Sequence, residues 1–476
     1  MSFKKSFFKN ISFFAFYSYI IQGIEFLSTI ILSRILLPEE YGIVAIIYLF
    51  TGFIQLFANA GIGQSLVRSE YGATFHRYLF NLSVWLGLIL TVLLCALSYP
   101  IALFFDDLNL IWPLLLASLF FTFDSFNYIP NALLSKELKF NTLGKVKLIS
   151  GGVTIILQII LALLGFSYWA LIIPMTISPL LQYYMQTRYI KFPFRMYSLK
   201  AAFFALSKIK TLMANLTLQN SISYWGKNLD KMIVGKAYST ADLGLYNRAL
   251  RFVDMNFRLI TGIFSQVLFP SLKKLQASNG DINKEYTDIL GIITLLNFPL
   301  SAILIAIPEG LVRLLWGENW IEVAFYLPYI GVFIIFQSII STMRSMFMLY
   351  NKEKSNSLIV IISAIVNVVA ISIGAMYSIH TMMIMYTLVN VFVIVPVNIY
   401  LGFYRAFNFK VTLLLKFWLP KIILSAAMLF GIINHAPVIV NISLFLFFIH
   451  LLVNQRNAIY SFINFVKTKL LSKRPK

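Results

Sequence analysis

Apolar runs of roughly twenty residues, separated by short polar breaks, fill this chain from end to end. A helix crossing the hydrocarbon core of a bilayer takes about 20 mostly apolar residues, because every backbone polar group must find its partner within the segment. Fourteen such stretches are predicted, at 11–33, 43–67, 79–105, 110–134, 147–166, 168–190, 211–235, 248–271, 288–308, 323–350, 357–377, 379–401, 414–434 and 436–454. The seventh and eighth carry the most polar side chains. The pattern reads as an all-α, polytopic membrane protein.

Composition supports that reading. Of 476 residues, 59% are hydrophobic and 12% charged, against about a quarter charged in soluble domains. The mean hydropathy is +0.81. Aromatic residues make up 16%, with 44 Phe, which suits a lipid-facing surface. A formal net charge of +21 could suggest a nucleic-acid partner, but the basic residues sit in short segments between apolar runs, where the positive-inside rule places them. No nucleic-acid partner is expected. Lys4, Lys5 and Lys9 precede the first run, which is too long for a cleavable signal and lacks a small-residue cleavage site. The first helix is therefore read as uncleaved, with both termini cytoplasmic. The opposite-side loops are short and acidic or neutral: Pro38-Glu39-Glu40, Asp106-Asp107 and Glu309 to Glu322. Cys95 is the single cysteine and the four His residues are scattered, so neither an intramolecular disulfide nor a zinc site is expected.

The organisation expected is a six-helix bundle at 1–190, a cytoplasmic basic linker at 191–210, a second six-helix bundle at 211–401, two additional helices at 402–454 and a basic cytoplasmic tail at 455–476. The linker and tail read as amphipathic segments lying on anionic lipid. A weak echo relates the two halves. Arg34, Glu40 and Gly42 recur 202 residues later as Lys236, Asp242 and Gly244. Six predicted helices separate the echoes, so the repeat is parallel and implies a pseudo-twofold axis along the membrane normal. A basic residue closing one helix, an acidic one opening the next and a glycine for close approach also make a tight helix-turn-helix by themselves.

At these residues the sequence resembles a known family. Leu32-Ser33-Arg34-Ile35-Leu36-Leu37-Pro38-Glu39-Glu40-Tyr41-Gly42-Ile43-Val44 is similar to the first-loop motif of polysaccharide-repeat flippases in the multidrug/oligosaccharidyl-lipid/polysaccharide exporter superfamily. Gly61 to Arg68 resembles the end of their second helix. Asn228-Leu229-Asp230-Lys231-Met232-Ile233-Val234-Gly235-Lys236, with Leu243-Gly244-Leu245-Tyr246 downstream, resembles the seventh-helix signature of the Wzx-type branch, particularly its WzxC-like members. The likeness runs from about residue 10 to 455. It implies two six-helix bundles in a V with two extra C-terminal helices. It also implies alternating-access transfer of a polyprenyl-pyrophosphate-linked oligosaccharide from the cytoplasmic to the outer leaflet, driven by a proton or sodium gradient. A bacterial inner membrane, a glycan polymerase and glycosyltransferases are the implied setting and partners. No bound cofactor is implied.

Ionisable groups inside membrane helices usually mark a pathway or a partner. Lys227, Lys231 and Arg258 are the leading candidates for an anionic headgroup, which Lys and Arg facing a wet cavity would hold by charge-assisted hydrogen bonds. Tyr224, Asn228 and Arg344 are further cavity candidates, the first two as sugar partners. Glu25, Asp124 and Asp230 are candidate coupling carboxylates. Arg34, Pro38, Glu40, Gly42, Gly235, Gly244 and Tyr246 are assigned structural motif roles. Mutual neutralisation or snorkelling to an interface is the alternative for the charged groups. No phosphate-binding Gly-rich loop, His-Glu-x-x-His or Gly-x-Ser-x-Gly motif occurs, so no enzyme activity is expected. The competing functions are an ion-coupled drug or small-molecule exporter, which favours an acidic cavity, and a membrane glycan polymerase or ligase, which needs a larger outer loop than any found here.

Overall fold

The computed structural model describes residues 3–59, 61–68, 72–190 and 199–454. The described chain is helical throughout, and ten of its helices are long and apolar enough to cross a membrane. All fourteen predicted stretches fall on helices. Those expected at 168–190, 211–235, 248–271 and 436–454 lie outside the ten, being shorter or more polar. This is an all-α, multi-pass membrane protein. The expected basic tail lies outside the described residues.

The chain divides into two compact units, Met1–Gly244 and Leu245–Lys476. The first contains α1 (Phe3–Ile35), α2 (Pro38–Asn59), α3 (Ile62–Arg68), α4 (Ala73–Phe104), α5 (Ile111–Ser125), α6 (Tyr128–Lys136), α7 (Phe140–Leu163), α8 (Trp169–Thr187) and α9 (Leu199–Ala237). Two predicted spans are each broken. Gly61, at φ +81°, separates α2 from α3, and a turn at Phe126–Asn127 separates α5 from α6. The 39-residue α9 is about 58 Å long at 1.5 Å per residue, nearly twice the hydrocarbon thickness. It runs unbroken from the segment expected as linker into the seventh span. Its first turns are amphipathic. Ala202, Ala205 and Ile209 recur on one face and pack into a core with Ile62, Leu66, Leu79, Phe80 and Ile129, while Lys200, Lys208 and Lys210 stay exposed.

α10 (Thr240–Asn256) begins in the first unit, and its start meets the start of α2. A Cβ on Gly42 would lie 1.7 Å from the Thr240 carbonyl oxygen, and one on Gly244 would lie 1.9 Å from that of Pro38. Thr240 and Gly244 are the echo positions of Pro38 and Gly42. The contact is therefore reciprocal, the signature of a twofold relation between the two helix starts. Their caps match as well. Glu40 Oε2 accepts from the Leu37 N–H at 2.6 Å, and Asp242 Oδ2 accepts from the Ser239 N–H at 3.2 Å. Each carboxylate satisfies an amide that a helix start leaves unpaired.

The second unit continues with a π-turn at Phe257–Thr261 and then α11 (Gly262–Ala277), α12 (Ile282–Ala306), α13 (Pro308–Leu315), α14 (Val323–Leu349), α15 (Glu353–Ala375), α16 (Ile379–Val389), α17 (Val395–Asn398), α18 (Val411–Ile433) and α19 (Pro437–Asn454). Two more π segments, Asn390–Ile394 and Ile399–Ala406, flank α17. The most enclosed span is α14, with 82% of its most apolar window buried. Its polar residues knit it to its neighbours: Thr294 to Ser338 at 3.1 Å, Tyr286 to Thr342 at 2.9 Å, and Ser301 to the Gly331 carbonyl at 2.6 Å. Hydrogen bonds and close approach replace the hydrophobic drive that lipid does not supply.

Candidate functional site

In the first unit, the middle of α9 lies along α2. The Tyr224 hydroxyl donates to the Leu49 carbonyl at 2.7 Å, and its ring fills the notch left by Gly52, where a Cβ would stand 2.7 Å from that hydroxyl. Phe53 packs on Tyr224 and Trp225, at 5.9 and 5.0 Å between ring centres. The sequence expected Tyr224 to offer its hydroxyl to a sugar. Here that hydroxyl is already engaged, because an unpaired helix-facing phenol would be costly to bury. Asn228 is turned partly inward too. Its amide donates to the Tyr224 carbonyl at 2.9 Å, and its oxygen accepts from Lys231 Nζ at 3.1 Å. Asp230 is half-buried. Lys227, on the same helix, is exposed and makes no hydrogen bond or ion pair among the described residues.

In the second unit, Arg251, Asp254 and Arg258 are spaced three and four apart along α10 and the π-turn, and all three are exposed. Neither arginine has an anionic partner among the described residues. The π-turn inserts an extra residue into the helical repeat, re-aiming the side chains after it. Arg258 is in that turn, just beyond Asn256, which is buried and hydrogen-bonded to Gln337 of α14. Gln337 in turn donates to the Val253 carbonyl at 3.2 Å. Farther along, Ser265 donates to the Ser341 carbonyl at 3.0 Å. This register puts Arg344 farther along the same pair of helices than Arg258. Arg344 is exposed and has no partner among the described residues, although its neighbours Met343, Ser345 and Met346 are buried.

The candidate carboxylates differ sharply. Glu25 is exposed partway along α1. Asp124 stands at the end of α5, where its Oδ2 accepts from Gln55 Nε2 of α2 at 2.9 Å, with the buried Tyr128 phenol beside it. Two asparagines that follow it in the chain are also turned inward. Asn127 donates to the Pro179 carbonyl at 2.9 Å, and Asn131 accepts from Gln186 at 3.0 Å. No group of three or more His, Cys, Asp or Glu side chains that could hold a metal ion occurs among the described residues.

The motif residues hold helix ends. Gly235 lies against Phe105 and Leu243, and Lys236 pairs with Asp106 at 2.6 Å. Tyr238 sits in the turn between α9 and α10, where burial and then the Asp242 charge raise its phenol above the ordinary value. Tyr246 is buried edge-on to Tyr326, 6.4 Å between ring centres. Arg34 and Pro38 flank the first turn, Arg34 exposed and Pro38 half-buried.

Three residues were missed in the sequence. Arg248 is 3% exposed, its guanidinium 5.0 Å from the Trp316 ring and 4.9 Å from that of Trp320. Lys421 is buried in α18. Gln55 is the donor to Asp124. A basic residue within an apolar run was the available signal for Lys421. Nothing local marked the other two.

The sequence matches the model of a family described as polysaccharide biosynthesis protein over residues 31–325. An uncharacterized membrane protein in the cps region of Klebsiella pneumoniae is 25% identical over 67% of this chain and 66% of its own length. The succinoglycan biosynthesis transport protein ExoT of Rhizobium meliloti is 25% identical over 73% of this chain and 69% of its own. The lipopolysaccharide biosynthesis protein WzxC of Escherichia coli is 22% identical over 63% and 61%. The chain thus spans about two thirds of the length of these relatives. Among solved structures, the lipid II flippase MurJ, in an inward closed conformation, superposes with a TM-score of 0.71 at 16% identity, covering 94% of this chain and 99% of that one. An inward-facing multidrug resistance MATE transporter of the MOP superfamily gives 0.65 at 15% identity, covering 80% and 93%. At these identities the likeness is one of fold, and it is the fold of that superfamily's transporters. With a family model matched across more than half of its residues, the chain belongs to the polysaccharide biosynthesis protein family.

Proposed function

We propose that this protein is a flippase that carries a polyprenyl-pyrophosphate-linked oligosaccharide from the cytoplasmic to the outer leaflet of a bacterial inner membrane. One observation carries the reading. Lys227, Arg251 and Arg258, on the stretches read from the sequence as the seventh and eighth spans, and Arg344, on the span α14, are exposed and have no anionic partner among the described residues. Exposed, unpaired cations at such positions are costly unless they serve a ligand or a wet path, and a pyrophosphate is the anion a lipid-linked glycan must bring across. Lys227 with Lys231 in the first unit, and Arg258 with Arg344 in the second, are each candidate contacts for the headgroup. Asn228 and the edge of Tyr224 meet the first sugars. The family and the transporter fold support this assignment, as do ExoT, named a succinoglycan biosynthesis transport protein, and WzxC, named a lipopolysaccharide biosynthesis protein. Both termini are cytoplasmic, as the basic segments require. A proton or sodium gradient drives the cycle through Glu25, Asp124 or Asp230. Glycosyltransferases supply the substrate and a glycan polymerase consumes it.

The test is genetic. A deletion strain accumulates lipid-linked oligosaccharide on the cytoplasmic side, and the wild type clears it. Lys227→Ala and Arg258→Ala, present in the membrane at normal levels, leave it uncleared. Full clearance by the double variant overturns the headgroup assignment. A deletion strain with no accumulation overturns the flippase reading itself.

A further inference from the structure

One ionisable group stands apart from all those above. Lys421 is the eleventh of the 23 residues of α18 and is 1% exposed. Its Nζ lies 3.1 Å from the centre of the Phe417 ring and 4.8 Å from that of Trp418. Trp418 in turn meets Phe403 edge-on at 6.0 Å. Among the described residues the amine finds no hydrogen-bond partner, and neither does the buried hydroxyl of Ser425, one turn farther along the same face. A counter-ion from nearby sequence is excluded, because residues 354–476 contain no Asp or Glu.

The groups on the surrounding elements do not compensate. On α19 the one titratable side chain is His450, an electrostatic neighbour of Lys421 and itself a base. Lys421 lies twelve residues before the end of α18 and His450 thirteen after the start of α19, so both sit about 18 to 20 Å from the hairpin turn. On the π segment packed against α18, Tyr400 and Tyr404 are exposed and stack on each other, and Arg405 lies over Tyr400. On α14, Tyr326 is held by Tyr246 and Arg344 points outward. Lys416, on α18 itself, is exposed.

An ammonium enclosed at membrane depth, with a second base at its level and no carboxylate, is the arrangement least able to keep its charge. The two aromatic faces offset only part of that cost through cation–π attraction. We propose that Lys421 is a proton-exchange site, its amine uncharged while enclosed as in this structure and taking a proton from water whenever the α18–α19 hairpin admits it. The nitrogen lone pair binds the proton on opening and returns it to water on closing. The exchange itself is a property of this unit. Its use in driving a transport cycle rests on the flippase reading.

The experiment uses the full chain in lipid nanodiscs without substrate. Tryptophan fluorescence is followed against pH for the wild type, Lys421→Met and Lys421→Arg. Met keeps the length and removes the base, and Arg keeps the charge at every pH. The wild type shows a transition, reported by Trp418, that is lost in both variants. Superimposable titrations of the wild type and Lys421→Met overturn the proposal. That comparison decides the matter even if Lys421→Arg fails to fold. A second arm measures clearance of lipid-linked oligosaccharide by cells held at different external pH. Clearance by Lys421→Met that keeps the wild-type pH response overturns the coupling role. Failure of the wild type to clear anything speaks against the flippase reading and leaves the fluorescence result standing.

Discussion

The meeting of α2 and α10 gives a sharp test of whether the internal repeat is structural. Replacing Gly42 by Ala puts a methyl carbon 1.7 Å from the Thr240 carbonyl oxygen. An ordinary carbon–oxygen contact is about 3.3 Å, so the two helix starts must part by roughly 1.6 Å. Nothing soft can yield. The opposing atoms are backbone, and both starts are pinned by Glu40 and Asp242 on their own amides. The expected loss is at the upper end of the overpacking range, about 3 kcal/mol. Gly244→Ala, at 1.9 Å from the Pro38 oxygen, meets the mirror of the same obstacle and loses a similar amount. Gly23→Ala is the control. An added Cβ there has nothing within 4 Å, and the substitution gains up to about 1 kcal/mol of helix propensity. Because one separation relieves both clashes, the double variant Gly42→Ala/Gly244→Ala loses clearly less than the sum, with a coupling of about 1 kcal/mol or more. Unfolding of the purified protein by graded SDS in mixed micelles gives the four stabilities. Additive losses in the double variant, or a Gly42→Ala protein as stable as Gly23→Ala, would refute the reciprocal contact.

Other positions give separate expectations. Arg248→Ala strips two tryptophans of their cation and lowers stability by about 2 kcal/mol, with a change in tryptophan emission that Arg251→Ala, an exposed neighbour, does not produce. Gln55→Leu removes the amide that donates to the Asp124 carboxylate and costs about 1–3 kcal/mol. The companion Asp124→Leu recovers part of that loss, and failure to recover it would show that the hydrogen bond is not what holds the pair. Asp106→Asn breaks the ion pair with Lys236, whose side chains are 78% and 42% exposed, and changes stability by under about 1 kcal/mol. A larger loss in the SDS titration would mean that this surface pair is shielded from solvent.

Much of the architecture was legible because lipid enforces it. A span must be apolar along its length and must satisfy its own backbone, so the fourteen predicted stretches land on helices whatever their neighbours do. The turn chemistry was equally local. A carboxylate three residues into a helix start can cap it without help from afar, and Glu40 and Asp242 do so. The 202-residue register between the echoes was present in the residues as well. Sequence could not say that the echoed glycines touch each other, since that needs the backbones of two distant helices to arrive at one place. The same holds for Tyr224, whose hydroxyl was taken by Leu49, 175 residues away, and for Asp124, whose donor lies 69 residues back. Periodicity tells which face of a helix is polar. It does not tell whether that face meets water, a ligand or another helix, and so Lys227 and Arg258 came out exposed while Arg248 and Lys421, residues of the same charge, were enclosed by aromatic rings. Hydropathy fixed where the chain crosses, because transfer to lipid is a sum over neighbouring residues. Packing alone decided which charges are free, because burial is a property of elements brought together from far apart.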